Sequence, residues 1–163
     1  MKAKELAIGG LLTALSLMIP LVFGQYLRIY VPPFSATLAS HVPLFLSMLI
    51  SPAVAIMVGL ASALGFLIAT TPVIAARAFM HVFVGLAGAI MVKRGIPYYK
   101  VLLALLPLHA ALEALVVIPF GFDVFRWGVV VGVGTGLHHL VDTAISLALV
   151  QTLDLKRLRQ WAA

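Results

Sequence analysis

The chain contains no cysteine, and only five of its 163 residues are acidic. Without thiols there is no disulfide, no thiolate metal site and no cysteine nucleophile. Charged residues of both signs make up 10% of the sequence, far below the roughly 25% of an ordinary soluble domain. A glycine-rich phosphate loop and a dinucleotide turn are both missing, so any ATP-driven activity requires a partner chain. The first apolar segment, opening at Leu6, has no small-residue cleavage site after a short core and reads as a retained span rather than a leader.

What remains is strongly apolar. Hydrophobic residues make up 63% of the chain and the mean hydropathy is +1.17, values that predict an all-α integral membrane protein. The length suits a single compact helical bundle (residues 1–163) without a separate soluble domain. The net charge of +6 does not point to nucleic acid, because the cations lie mostly at the ends of apolar segments, where they orient a protein in a bilayer.

A helix crosses the hydrocarbon with about 20 apolar residues, range roughly 17–25. Residues 6–23 form the first expected span. Charge is then absent for the 48 residues from Ile29 to Ala76, too many for one helix. Ser51-Pro52 divides that stretch, since proline is favoured at a helix start, predicting spans over 36–50 and 53–69. Spans over 73–92, 101–118 (with Pro107 inside) and 135–153 complete six. Residues 120–134, carrying Asp123, Arg126 and Trp127, are expected as a loop with a strand-like Val129–Val131 segment. Lys2, Lys4, Lys93, Arg94, Lys100, Lys156, Arg157 and Arg159 then fall on one side, eight of the eleven basic residues. By the positive-inside rule both termini are cytoplasmic, which requires an even number of spans.

Ionisable groups inside membrane spans are costly and by default mark a site or pathway. Here they are His41, Arg77, His81, His109, Glu113, His138, His139 and Asp142. Arg77/His81, His109/Glu113 and His138/Asp142 have i,i+4 spacing, which puts each pair on one helix face. The expected topology draws most of this set toward the outer half of the membrane, building a polar pocket for a small solute. Mutually satisfied polar groups knitting the bundle are the plainer alternative, adequate for a lone histidine but weaker for three convergent pairs. Of His138 and His139 only one is expected to point fully inward, and the Asp142 spacing favours His138. A second pattern is small residues: Ala7, Gly10 and Ala14 make a face on span one that allows close helix approach, and Ala55, Gly59 and Ala63 repeat the spacing on span three. The span-one face, free of the polar cluster and near the cytoplasmic side, is the better candidate for docking a partner helix.

Six short spans, a small-residue first helix and an outward-facing polar cluster resemble the substrate-binding S-components of energy-coupling factor (ECF) vitamin transporters. The stretch Phe34-Ser-Ala-Thr-Leu-Ala-Ser-His-Val-Pro-Leu-Phe-Leu-Ser-Met-Leu-Ile-Ser-Pro52, with Arg77-Ala-Phe-Met-His81, is similar to the niacin-specific branch. The resemblance implies a non-enzymatic subunit of a prokaryotic plasma membrane that captures its vitamin from outside. It implies as partners a transmembrane coupling protein and two cytoplasmic ATPases. The family's Ala-x-x-x-Ala docking face corresponds to Gly10 and Ala14, with Ala7 one turn earlier, and the loop that caps the vitamin corresponds to 24–35, with Ser40 and His41 just beyond.

The residue chemistry suits nicotinate, a flat ring bearing a carboxylate, and equally another small carboxylated or heterocyclic vitamin. Arg77 can grip a carboxylate through two parallel hydrogen bonds. A histidine or Ser40 can satisfy the pyridine nitrogen, and Phe79, Trp127 or Tyr26 can sandwich the ring. Glu113 is an alternative partner that would neutralise Arg77 without ligand. Histidine with Asp or Glu also suits divalent cations. However, nickel and cobalt relatives place a histidine directly after the initiator methionine, whereas this chain reads Met1-Lys2-Ala3, and Arg77 would repel a cation. His109-Ala-Ala-Leu-Glu113 is not a zinc-hydrolase motif, and no serine lies in a Gly-x-Ser-x-Gly turn. A stand-alone proton-coupled permease would draw on the histidines, but no inverted repeat is visible.

Overall fold

The computed structural model describes residues 2–31 and 34–154; Lys156, Arg157 and Arg159 lie outside them, as does the side chain of Arg126. The order of elements is α1 (Ala3–Met18), β1 (Arg28–Val31), β2 (Phe34–Thr37), α2 (Val42–Ser47), α3 (Pro52–Ala69), α4 (Pro72–Phe79), α5 (His81–Lys93), α6 (Tyr98–Val116) and α7 (Val129–Thr152). Among the described residues five helical stretches are long and apolar enough to cross a membrane: Ala3–Phe23, Pro52–Ala69, Pro72–Lys93, Tyr98–Phe120 and Val129–Thr152.

Local chemistry explains where these stretches start and change. Ser51 caps α3 by accepting the Val54 N–H at 3.3 Å, and Pro52 opens the helix, where its missing N–H costs nothing. Pro20, lacking an N–H inside the first stretch, widens the ladder into a π-turn over Ile19–Phe23, closed by Gly24 N donating to Ile19 O at 3.1 Å. The stretch expected at 73–92 is divided at Met80 into α4 and α5, where the Met80 N–H bonds to Arg77 O at 3.0 Å in a tightened turn.

Two expectations are corrected. The span expected over 36–50 is not a helix of that length. Its start is β2, paired antiparallel with β1 in the register Arg28↔Thr37, Ile29↔Ala36, Tyr30↔Ser35 and Val31↔Phe34; a turn follows, and then the six-residue α2. Six residues of helix rise only about 9 Å. The segment nonetheless runs back along α1. At one end Leu38 N donates to Leu27 O, between the π-turn and β1; at the other the Ser51 hydroxyl donates to the Glu5 carboxylate in the first turn of α1. Every residue from 40 to 50 is buried. Irregular backbone is tolerated at membrane depth when protein surrounds it, and here α1, α3, α5 and α7 all pack on α2. Leu44, Phe45, Met48 and Leu49 of this segment are the centre of the main apolar core, with Val54, Val58, Val84, Leu102 and Leu105 around them.

The second correction concerns Val129–Val131, which forms the first turn of α7 rather than a strand-like loop. Three β-branched residues favour extended backbone only weakly, and packing of the helix on α6 overrides them. The α7 glycines admit close neighbours: the Phe34 ring of the hairpin lies where a Cβ on Gly134 would stand, 2.6 Å from the nearest ring atom.

The small-residue pattern on α3 is internal packing. A Cβ on Gly59 would lie 2.8 Å from the backbone N and Cα of Val82, so α3 and α5 meet through the missing side chain. The corresponding face of α1 differs, because Ala7, Gly10 and Ala14 are all exposed and a Cβ on Gly10 meets nothing within 4 Å. Gly59→Leu is therefore expected to destabilise the purified protein by about 1–3 kcal/mol or more, while Gly10→Leu leaves it unchanged. Thermal unfolding of both variants in the same detergent checks the contrast.

Candidate functional site

Four elements bring the polar residues of the spans together. Arg77 comes from the last turn of α4 and His81 from the start of α5; α6 supplies His109 and Glu113, and α7 supplies Thr135, His138, His139 and Asp142. The hairpin and the turn after it close the top with Ser35, Thr37, Ser40 and His41. Between them lies a narrow cleft lined by Ser35, Thr37, Ser40, His41, Arg77, His81, Glu113 and His138, with Phe66, Ile74 and Ala78 as apolar walls.

Two carboxylates organise it. Glu113 Oε2 accepts from Arg77 Nη2 at 2.6 Å, Arg77 Nε at 3.0 Å and the Thr135 hydroxyl at 2.6 Å. Its Oε1 faces His109 Nε2 at 3.1 Å and His81 Nε2 at 3.4 Å. The Arg77 guanidinium also lies 5.2 Å from the centre of the Phe34 ring, a cation–π contact. The second carboxylate, Asp142, is fully buried. Its Oδ1 accepts the Ala39 N–H at 2.9 Å, and its Oδ2 accepts the His41 N–H at 3.0 Å and meets His138 Nε2 at 3.1 Å. Asp142 thereby pins the turn that carries Ser40 and His41. Ala39 sits there with φ 64°, a left-handed conformation costing an alanine roughly 1–2 kcal/mol; a hydrogen bond to a charged acceptor, worth roughly 1.5–3 kcal/mol, offsets it.

A chain of imidazoles links these centres to the core. His139 Nε2 donates to the Leu102 carbonyl at 2.8 Å, and with His139 neutral its Nδ1 accepts the Nδ1–H of His109 at 2.9 Å. His109 then presents Nε2 to Glu113. The rings of His41, His81 and His109 form a nearly equilateral triangle, with centroids 4.7, 4.8 and 5.2 Å apart and planes crossing at 78–83°. His81 Nδ1 is engaged by the Ser62 hydroxyl at 2.9 Å, while its Nε2 has no hydrogen bond. His41 Nδ1 lies 3.0 Å from Asp142 Oδ2 without the alignment of a hydrogen bond.

Of the residues singled out from the sequence, Arg77, His81, His41, Ser40, Glu113 and His138 line the cleft, His109 lies beneath it, and Asp142 holds its turn. The expectation that His138 rather than His139 points fully inward is corrected: His139 is the fully buried one, behind His109 and bonded to the Leu102 carbonyl, while His138 is partly buried at the cleft. Trp127 lies in a π-turn over Val124–Gly128, edge-on to Phe122, away from the cleft walls. Tyr26 is 82% exposed and Phe79 41% exposed, and neither lines the cleft, where the aromatic neighbours are Phe66 and Phe34. Sequence reading missed Ser35, Thr37, Ser62 and Thr135. Isolated serines and threonines in apolar segments carry no spacing signal, and only the carboxylates and imidazoles they meet in space identify them.

No family model matches the chain, and no solved structure does. Among curated proteins the chain is similar to the niacin transporter NiaX of Lactococcus lactis subsp. cremoris strain MG1363. The two are 32% identical over an alignment spanning 94% of this chain and 76% of the relative. A likeness of that strength over nearly the whole chain, joined to five apolar membrane-length helices, makes this a multi-pass protein of the plasma membrane. The chain belongs to the family of the niacin transporter NiaX, within the class of S-components that its sequence resembles.

Proposed function

We propose that the chain is the capture subunit of an ECF-type importer and binds nicotinate in the cleft between α4, α6, α7 and the hairpin. The observation that carries this reading is the buried arginine in the cleft wall, Arg77, in a family whose relative is named a niacin transporter. A guanidinium 4% exposed needs an anion beside it, and Glu113 supplies one. A ligand carboxylate can join or replace Glu113 there while keeping Arg77 paired, so binding does not leave a buried charge bare. The Thr135 hydroxyl still donates to Glu113 when Arg77 turns to the ligand. His138, His41 and Ser40 offer partners for the pyridine nitrogen, and Phe66 and Ile74 offer apolar area for the ring. The hairpin forms the cap, since Ser35 and Thr37 of β2 belong to the cleft wall while β1 is exposed.

Delivery in this reading depends on a coupling protein and two ATPases, with six passages through the membrane and both termini cytoplasmic. The return segment 38–50, buried from Ser40 onward, serves as the sixth passage. Ala7, Gly10 and Ala14 form the docking face; their exposure on the outer side of α1 supports that role over packing within the chain.

Arg77→Ala is expected to weaken nicotinate binding by about 2–5 kcal/mol, at least roughly 30-fold, measured by calorimetry on the purified chain. Arg77→Lys keeps the charge but loses the planar fork, and is expected to fall between wild type and Ala. Unchanged nicotinate affinity in both variants would remove the assignment. For docking, Gly10→Leu and Ala14→Trp are expected to abolish co-purification with the coupling module and ATP-dependent uptake while nicotinate affinity persists. Normal assembly of both variants, or loss of nicotinate binding with assembly intact, counts against this face.

A further inference from the structure

Between Glu113 and His109 the hydrogen-bond chain leaves two acceptors face to face. His139 gives its Nε2 proton to Leu102 and takes one from His109 Nδ1, so a neutral His109 offers a lone pair to Glu113 Oε1 only 3.1 Å away. A cation has to lie between them, either a proton or a metal. His81 Nε2, in a side chain 2% exposed, points at the same oxygen from 3.4 Å with no hydrogen bond of its own. With one nitrogen from each of His41, His81 and His109 and one oxygen from Glu113, four ligand atoms lie within 4.8 Å of one another.

We infer that this cluster is a binding site for one first-row divalent cation, and that the cation takes part in holding the anionic ligand; the second half of this inference rests on the nicotinate reading. Three imidazoles with one carboxylate suit Zn²⁺, Co²⁺ or Ni²⁺. In a tetrahedral site with bonds of about 2.0–2.1 Å the ligand atoms stand about 3.3 Å apart, close to the 3.1 and 3.4 Å separations at Oε1. The three rings, with centroids 4.7–5.2 Å apart, are close enough for one nitrogen of each to reach a single ion. Metal-bound histidines usually have their second nitrogen backed by another group. Here Ser62 backs His81, His139 backs His109, and Asp142 lies beside His41.

Charge supports the same conclusion. Without an added proton or metal ion, Arg77, Glu113 and Asp142 together leave the buried cluster with one negative charge, which repels a carboxylate, and a proton only cancels it. A divalent cation reverses that to one positive charge, and a single carboxylate then brings the site to neutrality. Arg77 does not oppose the ion directly, because it occupies Oε2 of Glu113 and the ion would occupy Oε1.

The test uses tag-free protein purified in detergent, stripped with EDTA and titrated with Zn²⁺, followed by nicotinate titrations of the stripped and reloaded forms. About one Zn²⁺ per chain is expected, with nicotinate affinity at least about tenfold lower in the stripped form and recovered on reloading. Ser62→Ala, which removes only the group backing His81, is expected to lower Zn²⁺ affinity about 10- to 100-fold. His81→Ala should abolish uptake; if that variant aggregates, the visible absorption of wild-type protein loaded with Co²⁺ decides, intense for a tetrahedral site and weak for an aquo ion. Failure to take up Zn²⁺ with full nicotinate affinity in the stripped form overturns the inference and leaves the nicotinate reading standing. Zn²⁺ uptake with no effect on nicotinate affinity overturns the shared role of the ion. Stoichiometric Zn²⁺ without nicotinate binding in either form supports the metal site and removes the nicotinate reading instead.

Discussion

A carboxylate enclosed by helices cannot be satisfied by water, and Asp142 is satisfied by backbone about a hundred residues earlier in the chain, at Ala39 and His41. That contact fastens the turn after the hairpin to α7 and holds Ala39 in a left-handed conformation it would not otherwise keep. It also fixes the start of α2, and so the position of His41 against His81, His109 and His138. Removing the acceptor would strand two buried N–H groups at roughly 1–3 kcal/mol each. The cleft exists where it does because one side chain on α7 holds an irregular segment from the other end of the sequence.

That irregular segment answers a problem specific to membranes. Backbone outside a helix must have its polar groups paired inside the protein, and residues 40–50 achieve this by being wrapped on all sides, with Phe45 and Leu44 almost without exposure. Surrendering helical length there frees Ser35, Thr37 and Ser40 to face the cleft rather than lipid. The outer surface, by contrast, carries exposed Leu11, Leu60, Leu64, Leu67, Ile68 and Leu137, as expected of helices facing hydrocarbon.

The polar cluster costs folding stability rather than adding to it. A buried Arg–Glu pair is seldom worth more than the apolar residues that could replace it, and around Arg77 and Glu113 stand the imidazoles of His41, His81 and His109 and the Thr135 hydroxyl. Its interactions hold a set of polar side chains in one fixed arrangement at the cleft. Glu113 occupies Arg77, and the histidines are oriented by Ser62, His139 and Asp142 from outside the cleft.

Residue chemistry along the chain was enough to determine that this is a helical membrane protein, where α3 begins, and which ionisable residues meet. The cost of placing Arg77, Glu113 or Asp142 in an apolar segment is a property of the residue and needs no coordinates. The i,i+4 pairs were legible because helix geometry converts spacing directly into a shared face. Other features arose only from contacts distant in sequence. Segment 36–50 became strand, turn and short helix because surrounding protein satisfied its backbone, and Val129–Val131 joined α7 because packing on α6 outweighs weak β preference. The chain's two small-residue faces look alike on paper, yet Gly59 is pressed on the Val82 backbone and Gly10 is open. Likewise Trp127 and Tyr26 were reasonable ring partners by residue type, but only the folded chain decides that Phe34 stands over the guanidinium and Phe66 in the cleft wall. Periodicity reports which residues share a face; which neighbour that face meets is a property of the assembled bundle.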